Sequence, residues 1–187
     1  MKTFLPAGLY INYRGGSYIP LNIFGLPKTI EVEGRQWFRK HEFHSSIVYV
    51  KRLTERVSKE LGIEETEAFD RLCRATEESY DPKEQLRVTP TGELRYAKLD
   101  REGVTEESII TMVMVDGIEP LFARLRKLLS VDIPIPPTHI TTYVIPDGAI
   151  GSPIPDEQAL NERTRVLSDA ALTEAKQAMH FDEVFDA

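Results

Sequence analysis

The sequence predicts an α+β fold, because strand-like and helix-like segments follow one another twice along the chain. The strand-like segments alternate apolar and polar residues or form short β-branched runs, whereas the helix-like segments carry apolar residues at three- and four-residue spacing. A chain of 187 residues is long enough to bury an ample core. We therefore expect a single domain over residues 1–187, with strands and helices segregated along the chain.

The first half opens with strands. They are predicted at three places: residues 7–13, a hairpin over 28–39 with its turn at Gly34, and the run FHSSIVYV over 43–50. A turn is predicted at Gly15 to Ser17. Residues 18–27 contain Pro20 and Pro27 and are predicted to be irregular.

Two helices are predicted next, over 51–61 and 65–79. In the first, apolar residues recur every four positions, and Gly62 stands where a helix commonly ends. The second carries the only cysteine of the chain, Cys73, on its apolar face. A buried structural thiol is the favoured interpretation, because no basic residue in the pattern is aimed at it.

The second half repeats the succession of strands and helices. A hairpin is predicted over 85–98 with its turn at Pro90 to Gly92, then a buried strand over 108–115. Asp116 is predicted to cap a helix whose apolar face runs from Ile118 to Leu129. Three prolines lead into a last strand over 138–144. Beyond it lie a Gly- and Pro-rich surface loop over 145–155, helices over 156–167 and 169–180 with Ser168 as cap, and a terminus expected to fray.

Charge and composition restrict the partners. The net charge of −7 argues against duplex DNA, which is gripped by clustered Lys and Arg. No apolar run reaches the ~18 residues that a membrane span needs, and the N-terminal stretch does not resemble a signal peptide. One cysteine fits a reducing compartment, so a cytoplasmic location is expected. Residues 35–52 nevertheless hold five basic side chains against one acid, which suits a small anionic substrate.

Two short motifs carry the chemistry. His44-Ser45-Ser46-Ile47 lies in the strand predicted over 43–50, and His139-Ile140-Thr141-Thr142 lies in the strand over 138–144. Side chains two positions apart in a strand share a face at roughly 6.6 Å, so each strand offers one imidazole and one hydroxyl on one side. Two such strands at one cleft would supply two proton-transferring imidazoles and two hydroxyls around a phosphate ester.

This pair of His-x-Ser/Thr motifs resembles the signature of the 2H phosphoesterase superfamily, which includes 2',3'-cyclic RNA phosphodiesterases once described as RNA ligases. The first motif matches the family pattern fully, whereas Thr142 stands where the family usually has a hydrophobic residue. The resemblance implies a bilobal α+β fold in which two antiparallel sheets flank a central cleft, with helices on the outer faces. It covers most of the chain, although no feature of residues 145–187 can be carried over.

The resemblance also implies a function. The implied function is that of a phosphoesterase that needs no metal or cofactor and acts on a cyclic phosphodiester or a 2',5'-type linkage. The substrate would be an RNA end, a nucleotide or another small cyclic phosphate. His44 and His139 would be the catalytic acid and base, with His139 favoured as the base for hydrolysis, while Ser46 and Thr141 would bind the phosphate. An imidazole suits both roles because its ordinary pKa lies near ~6.5.

Four further residues are weaker candidates for the substrate site. Tyr143 shares the predicted strand face of Thr141 and could line the cleft or stack on a base. Arg39, Lys40 and Arg14 could steer or grip a phosphate, but no spacing rule fixes their positions.

Three alternatives stay open at the level of sequence. The histidines could be partly buried strand residues satisfied by the neighbouring hydroxyls. His41 and His44 could bind a metal together with His139, although positions three apart in a strand face opposite sides. The chain could also be a non-catalytic nucleotide- or RNA-binding sensor on the same fold, for which intact hydroxyls in both motifs are not required.

Overall fold

A computed structural model describes residues 9–12, 16–84, 86–101 and 103–186. Its nine strands are β1 Tyr10–Asn12, β2 Gly16–Leu21, β3 Thr29–Val32, β4 Arg35–Arg39, β5 Phe43–Val48, β6 Arg87–Arg101, β7 Val104–Asp116, β8 His139–Ile145 and β9 Thr164–Val166. Its helices are α1 Val50–Leu61, α2 Glu65–Ser79, α3 Ile118–Leu129, α4 Glu157–Arg163 and α5 Asp169–Ala178, followed by a π-helical turn over Asp182–Asp186.

The fold is α+β, as predicted, and the strands of the described residues form one antiparallel sheet. Their order is β1-β2-β5-β8-β7-β6-β9. The β3–β4 hairpin joins this sheet because β4 pairs with the same edge of β8 as β5 does: Phe38 lies opposite Val144, and Ser45 opposite Ile140. The expected division into two sheets and two lobes is not confirmed, because backbone pairing continues through β5 and β8 at the centre.

Two apolar clusters hold the layers together. The larger joins sheet residues such as Ile109 to the helices α1, α2, α3 and α5. The smaller joins Ala97 and Ile110 to Ile154 and to α4. Because Ile109 and Ile110 are neighbours in one strand, their side chains point to opposite faces, so the two clusters lie on opposite sides of the sheet.

The helices predicted from periodicity are confirmed where local signals are strong. The helices α1 and α2 match the predicted 51–61 and 65–79, and Gly62 ends α1 in the left-handed conformation at φ 65°. Ser168 caps α5 by accepting a hydrogen bond of 3.3 Å from the Ala171 backbone N–H. The C-terminal segment does not fray as expected, because Phe181 and Phe185 are fully buried.

Several boundaries differ from the prediction. Residues 16–21 form β2 despite Pro20, which is tolerated because, within the described residues, β1 pairs only as far as Tyr18 and no strand pairs with Pro20 on that edge. The predicted hairpin over 85–98 is wrong. Pro90 to Gly92 form an irregularity inside the single long strand β6, and the turn lies at Gly103 instead.

The second half holds two further corrections. Asp116 does not cap α3, because it is still the last residue of β7 and Gly117 takes the N-cap position. The helix expected over 156–167 ends at Arg163, since Thr164–Val166 forms β9 against β6. In the part of the chain that the structure describes, no helix combines the length and apolar character that a membrane crossing requires.

Candidate active site

The two His-x-Ser/Thr motifs are adjacent in the sheet. The strands β5 and β8 are antiparallel neighbours through the pair of Ser45 with Ile140. Extending this register by one residue in each direction places His44 opposite Thr141 and Ser46 opposite His139. Directly opposed residues share a face. The two imidazoles are therefore diagonal neighbours on one side of the sheet, and so are the two hydroxyl side chains.

All four motif side chains line one cavity of about 120 Å³. Its remaining wall comes from residues that the sequence did not single out: Tyr49, Arg101, Ile150, Gly151, Ser152 and Pro153. The cavity is small, so it suits a group the size of a phosphate rather than a whole nucleotide. Tyr49 and the loop residues carried no motif, and Arg101 is one of many scattered basic residues, so no sequence signal pointed to them.

His139 is buried at the base of the cavity. Only 5% of the residue is exposed, and its Nδ1 lies 3.3 Å from the Pro137 carbonyl oxygen. Burial lowers the pKa of His139 to about 4, although hydrogen bonds to the backbone of Pro137 and Ser152 oppose this shift. Because burial dominates, the ring is neutral at neutral pH, and a neutral imidazole is the protonation state that a general base needs.

His44 is less buried and lies beside a cation. Burial lowers its pKa, the Lys40 ammonium lowers it further, and the Glu42 carboxylate opposes the shift. The ring packs against Tyr18, with ring centroids 4.9 Å apart. Both histidines thus lean towards the neutral state. A bound anion would favour protonation of either ring.

The hydroxyl of Ser46 lies near that of a neighbouring tyrosine. The Tyr49 hydroxyl forms a hydrogen bond with the Ser46 side chain and accepts a second one of 3.3 Å from the Ile154 backbone N–H. Burial raises the pKa of Tyr49, so this hydroxyl stays protonated. The arrangement ties the first motif to the loop over 146–155 that closes the far side of the cavity.

That loop is fixed to the β4–β5 connection and to β7. The Lys40 ammonium donates a hydrogen bond of 3.0 Å to the Ala149 carbonyl, and the Gly151 backbone N–H donates one of 3.2 Å to the Glu106 carboxylate. Gly151 has a φ of +94°, and a Cβ there would lie 3.0 Å from Thr141 Oγ1. The loop therefore approaches Thr141 so closely that only glycine fits without displacement.

Replacing Gly151 by alanine is expected to displace Thr141 as well as strain the backbone. Gly148→Ala is the matched control, because Gly148 lies in the same loop at φ +79° with nothing within 4 Å of an added Cβ. Backbone strain of about 1–3 kcal/mol should appear in both variants. Chemical denaturation should show a larger loss of unfolding free energy for Gly151→Ala. Equal losses would contradict a close contact with Thr141.

Ser152 presents an unpaired hydroxyl at the cavity wall. The residue is 3% exposed, and its Oγ has no hydrogen-bond partner within the described residues. A buried hydroxyl without a partner costs free energy. The oxygen has almost no accessible surface, so a ligand in the cavity could meet it only after the side chain rotates.

Tyr143 does not line the cavity, contrary to the prediction. It is fully buried, and its hydroxyl donates a hydrogen bond of 3.0 Å to the Pro27 carbonyl. The reason is a bulge between β7 and β8: Thr141 pairs with Ile110 and Tyr143 with Ile109, so Thr142 is an extra residue. The bulge breaks the two-residue alternation, and Tyr143 packs with the larger cluster on the opposite face from Thr141.

The predicted basic residues lie at different places. Lys40 influences His44 but is bound to the loop over 146–155, and it does not line the cavity. Arg39 donates a hydrogen bond of 2.6 Å to the Leu26 carbonyl and lines a separate groove that also reaches His44. Arg14 lies outside the described residues. Among the described residues, the arginine that lines the cavity is Arg101, at the end of β6.

His41 is exposed in the connection between β4 and β5 and does not line the cavity. Among the described residues, no three His, Cys, Asp or Glu side chains are grouped so that they could hold a metal ion. Comparison of the chain with models of protein families, with curated proteins and with solved structures finds no match in any of the three.

Proposed function

We propose that this protein is a metal-independent phosphoesterase that cleaves a cyclic phosphodiester or a 2',5'-type linkage of RNA or a nucleotide. We also propose that the chain belongs to the 2H phosphoesterase superfamily and that it is located in the cytoplasm. In this proposal the sheet consists of two halves that meet at β5 and β8. The observation that supports it most is that two imidazoles and two motif hydroxyls line one cavity. The two motifs lie 95 positions apart in the chain, from 44 to 139.

The environments of the histidines support a division of roles. His139 is the more deeply buried and neutral, so it takes a proton from the attacking water. His44, which also lines the neighbouring groove, donates a proton to the leaving oxygen after the anionic substrate has raised its pKa. Water oxygen bonds to phosphorus while the phosphorus–oxygen bond of the ester breaks. Ser46 and Thr141 donate hydrogen bonds to phosphate oxygens, and Arg101 stabilises the charge that develops on them.

The direct test is turnover in excess EDTA. The substrates would be nucleoside 2',3'-cyclic monophosphates, an RNA oligonucleotide with a 2',3'-cyclic end and a 2',5'-linked dinucleotide. Wild type is compared with His44→Asn and His139→Asn, after circular dichroism has shown that each variant is folded. Turnover by wild type alone supports the proposal. Binding of these compounds without turnover at any pH would favour the sensor instead.

Ser152 is expected to contribute to substrate binding once its side chain has rotated to bring the unpaired hydroxyl into the cavity. Ser152→Ala should lower kcat/KM by about 10- to 150-fold, in line with one lost hydrogen bond to an anion, because such bonds contribute ~1.5–3 kcal/mol. Stability should stay equal or rise, since the hydroxyl has no partner within the described residues. Ser108→Ala is the matched control, as Ser108 Oγ is also buried and unpaired but does not line the cavity. An equal kinetic loss in both variants would refute the role.

A further inference from the structure

Tyr49 lines the cavity although it belongs to neither motif. It lies between the end of β5 and the start of α1, and its side chain forms part of the cavity wall together with Ser46. Its hydroxyl accepts a hydrogen bond of 3.3 Å from the Ile154 backbone N–H and forms another with the Ser46 hydroxyl. A phenylalanine would fill nearly the same volume, so what Tyr49 contributes beyond packing is this hydroxyl.

The Ile154 backbone N–H is held in a fixed position. The Ile154 side chain is fully buried in the smaller apolar cluster between the sheet and α4. The preceding carbonyl, that of Pro153, accepts a hydrogen bond of 2.8 Å from the Arg163 guanidinium at the end of α4. Because a backbone N–H can donate but cannot accept, the first bond runs from the loop over 146–155 to Tyr49.

The directions of the next two bonds follow from the first. A hydroxyl carries one proton, so the phenol of Tyr49, which accepts from Ile154, has its own proton to donate to Ser46. Burial raises the pKa of Tyr49, so that the proton is retained. Once Ser46 has accepted this bond, its own proton is directed away from Tyr49, and Ser46 faces the cavity. The oxygens of a phosphodiester anion only accept, so they complete the sequence of donors.

The charge of Arg163 strengthens the middle of this arrangement. Burial has the larger effect on the pKa of Tyr49, and the guanidinium of Arg163 opposes it. A phenol beside a cation is a better hydrogen-bond donor, and each bond in a chain polarises the next one. The result is a Ser46 hydroxyl that donates more strongly to an anion than an isolated serine would.

We infer that the Ile154 N–H, the Tyr49 hydroxyl and the Ser46 hydroxyl form a directed hydrogen-bond chain that ends on a phosphate oxygen. Tyr49 is then a positioning residue that acts through Ser46. The inference rests on the proposed function, in which Ser46 binds the phosphate, and adds that the loop over 146–155 orients that hydroxyl. Phosphate binding and the position of the loop are therefore coupled through one side chain.

A double-mutant cycle between Tyr49 and Ser46 tests the chain. Tyr49→Phe keeps the ring and removes the hydroxyl, so kcat/KM for a nucleoside 2',3'-cyclic monophosphate should fall about 10-fold. That factor corresponds to ~1.4 kcal/mol, which is within the range for residues of one hydrogen-bond network. In a Ser46→Ala background the same substitution should change kcat/KM by less than about 2-fold, because the chain is already interrupted.

Tyr143→Phe is the matched control. The Tyr143 hydroxyl also bonds a backbone group, the Pro27 carbonyl at 3.0 Å, but the ring packs on the opposite face of the sheet from the cavity. This substitution should leave kcat/KM unchanged with and without Ser46. Urea unfolding establishes that every variant is folded under the assay conditions. A loss from Tyr49→Phe that is equally large in both backgrounds, or no loss in either, would overturn the chain.

A second measurement leaves Tyr49 in place, since Tyr49→Phe removes the partner of the Ile154 N–H and can shift the loop. Inorganic phosphate is titrated to saturation into wild type and Ser46→Ala while the amide resonance of Ile154 is followed by NMR. Ile154 itself does not line the cavity. The chain predicts a downfield shift of its amide proton in wild type and a much smaller one in Ser46→Ala. Equal shifts in the two proteins, or none in wild type, would contradict the inference.

Failure of the chain and failure of the proposed function give different results. If wild type cleaves the cyclic phosphates but the losses from Tyr49→Phe and Ser46→Ala add, the phosphoesterase stands and the chain does not. If nothing is cleaved while phosphate shifts the Ile154 amide through Ser46, the chain stands as part of an anion site on a protein that is not a phosphoesterase. If wild type neither cleaves the substrates nor binds phosphate, both are wrong.

Discussion

Replacing His139 or His44 by asparagine is expected to lower kcat/KM for a cyclic phosphodiester by about 10²- to 10⁴-fold, the usual contribution of a positioned acid or base. The two losses should not add in the double variant, because water attack and departure of the leaving oxygen belong to one proton-transfer sequence. Asparagine retains an amide that can bond the Pro137 carbonyl, so the fold at His139 should persist. Additive losses in the double variant would indicate two independent binding roles.

The pH dependence of kcat/KM follows from the same two rings. His139 must be neutral to accept a proton, and since burial lowers its pKa to about 4, the acidic limb of the profile should lie near that pH. His44 must be protonated to donate, and burial together with Lys40 lowers its pKa from 6.5. The alkaline limb should therefore lie below pH 6.5, which gives an acidic optimum in kcat/KM. Lys40→Met removes the neighbouring ammonium and should move that limb to higher pH.

Acidification is expected to destabilise the fold through His139. The folded pKa is about 4, compared with an ordinary 6.5. Above pH 6.5 the ring is neutral in both the folded and the unfolded chain, so its protonation does not lower the free energy of unfolding. Below pH 6.5 the unfolded chain binds a proton that the folded chain does not, so stability falls as pH falls until the folded ring also protonates near pH 4. At ~1.4 kcal/mol per pH unit, the loss between pH 6.5 and 5 should be about 2 kcal/mol.

Urea unfolding at several pH values measures this loss. In His139→Asn the drop between pH 6.5 and 5 should shrink by about 2 kcal/mol. The remaining slope should include His44, whose pKa is also lowered. His180→Asn, at an exposed position, controls for the removal of an imidazole as such. A wild-type stability that is flat from pH 7 to 5 would show that the ring of His139 is not buried in the folded protein.

Local sequence signals were sufficient to predict a structural element where the interactions that form the element are themselves local. The bounds of α1 and α2 follow from apolar residues on one helical face and from the left-handed glycine after α1. The turn at Glu33 and Gly34, both at positive φ, is a local event of the same kind. The placement of each imidazole with its hydroxyl on one strand face follows from the alternation of side chains, and the shared cavity agrees with it.

Local signals misled where a long-range partner decides the outcome. Pro90 to Gly92 look like a turn in sequence, yet β7 pairs with the chain on both sides of them and turns them into a bulge. Tyr143 follows Thr141 by two residues, yet the bulge opposite Ile109 directs it to the other face. In both cases strand pairing with residues distant in sequence overrode the local pattern.

The sequence by itself determined the α+β class, the main helices and the four side chains that meet in the cavity. Only the tertiary structure decided that β5 and β8 are direct neighbours, that one sheet rather than two carries them, and that Tyr49, Arg101 and Ser152 complete the wall. The physical reason is that alternation along a strand fixes the face of a side chain, whereas the register between strands and the path of a loop depend on contacts that no short segment encodes.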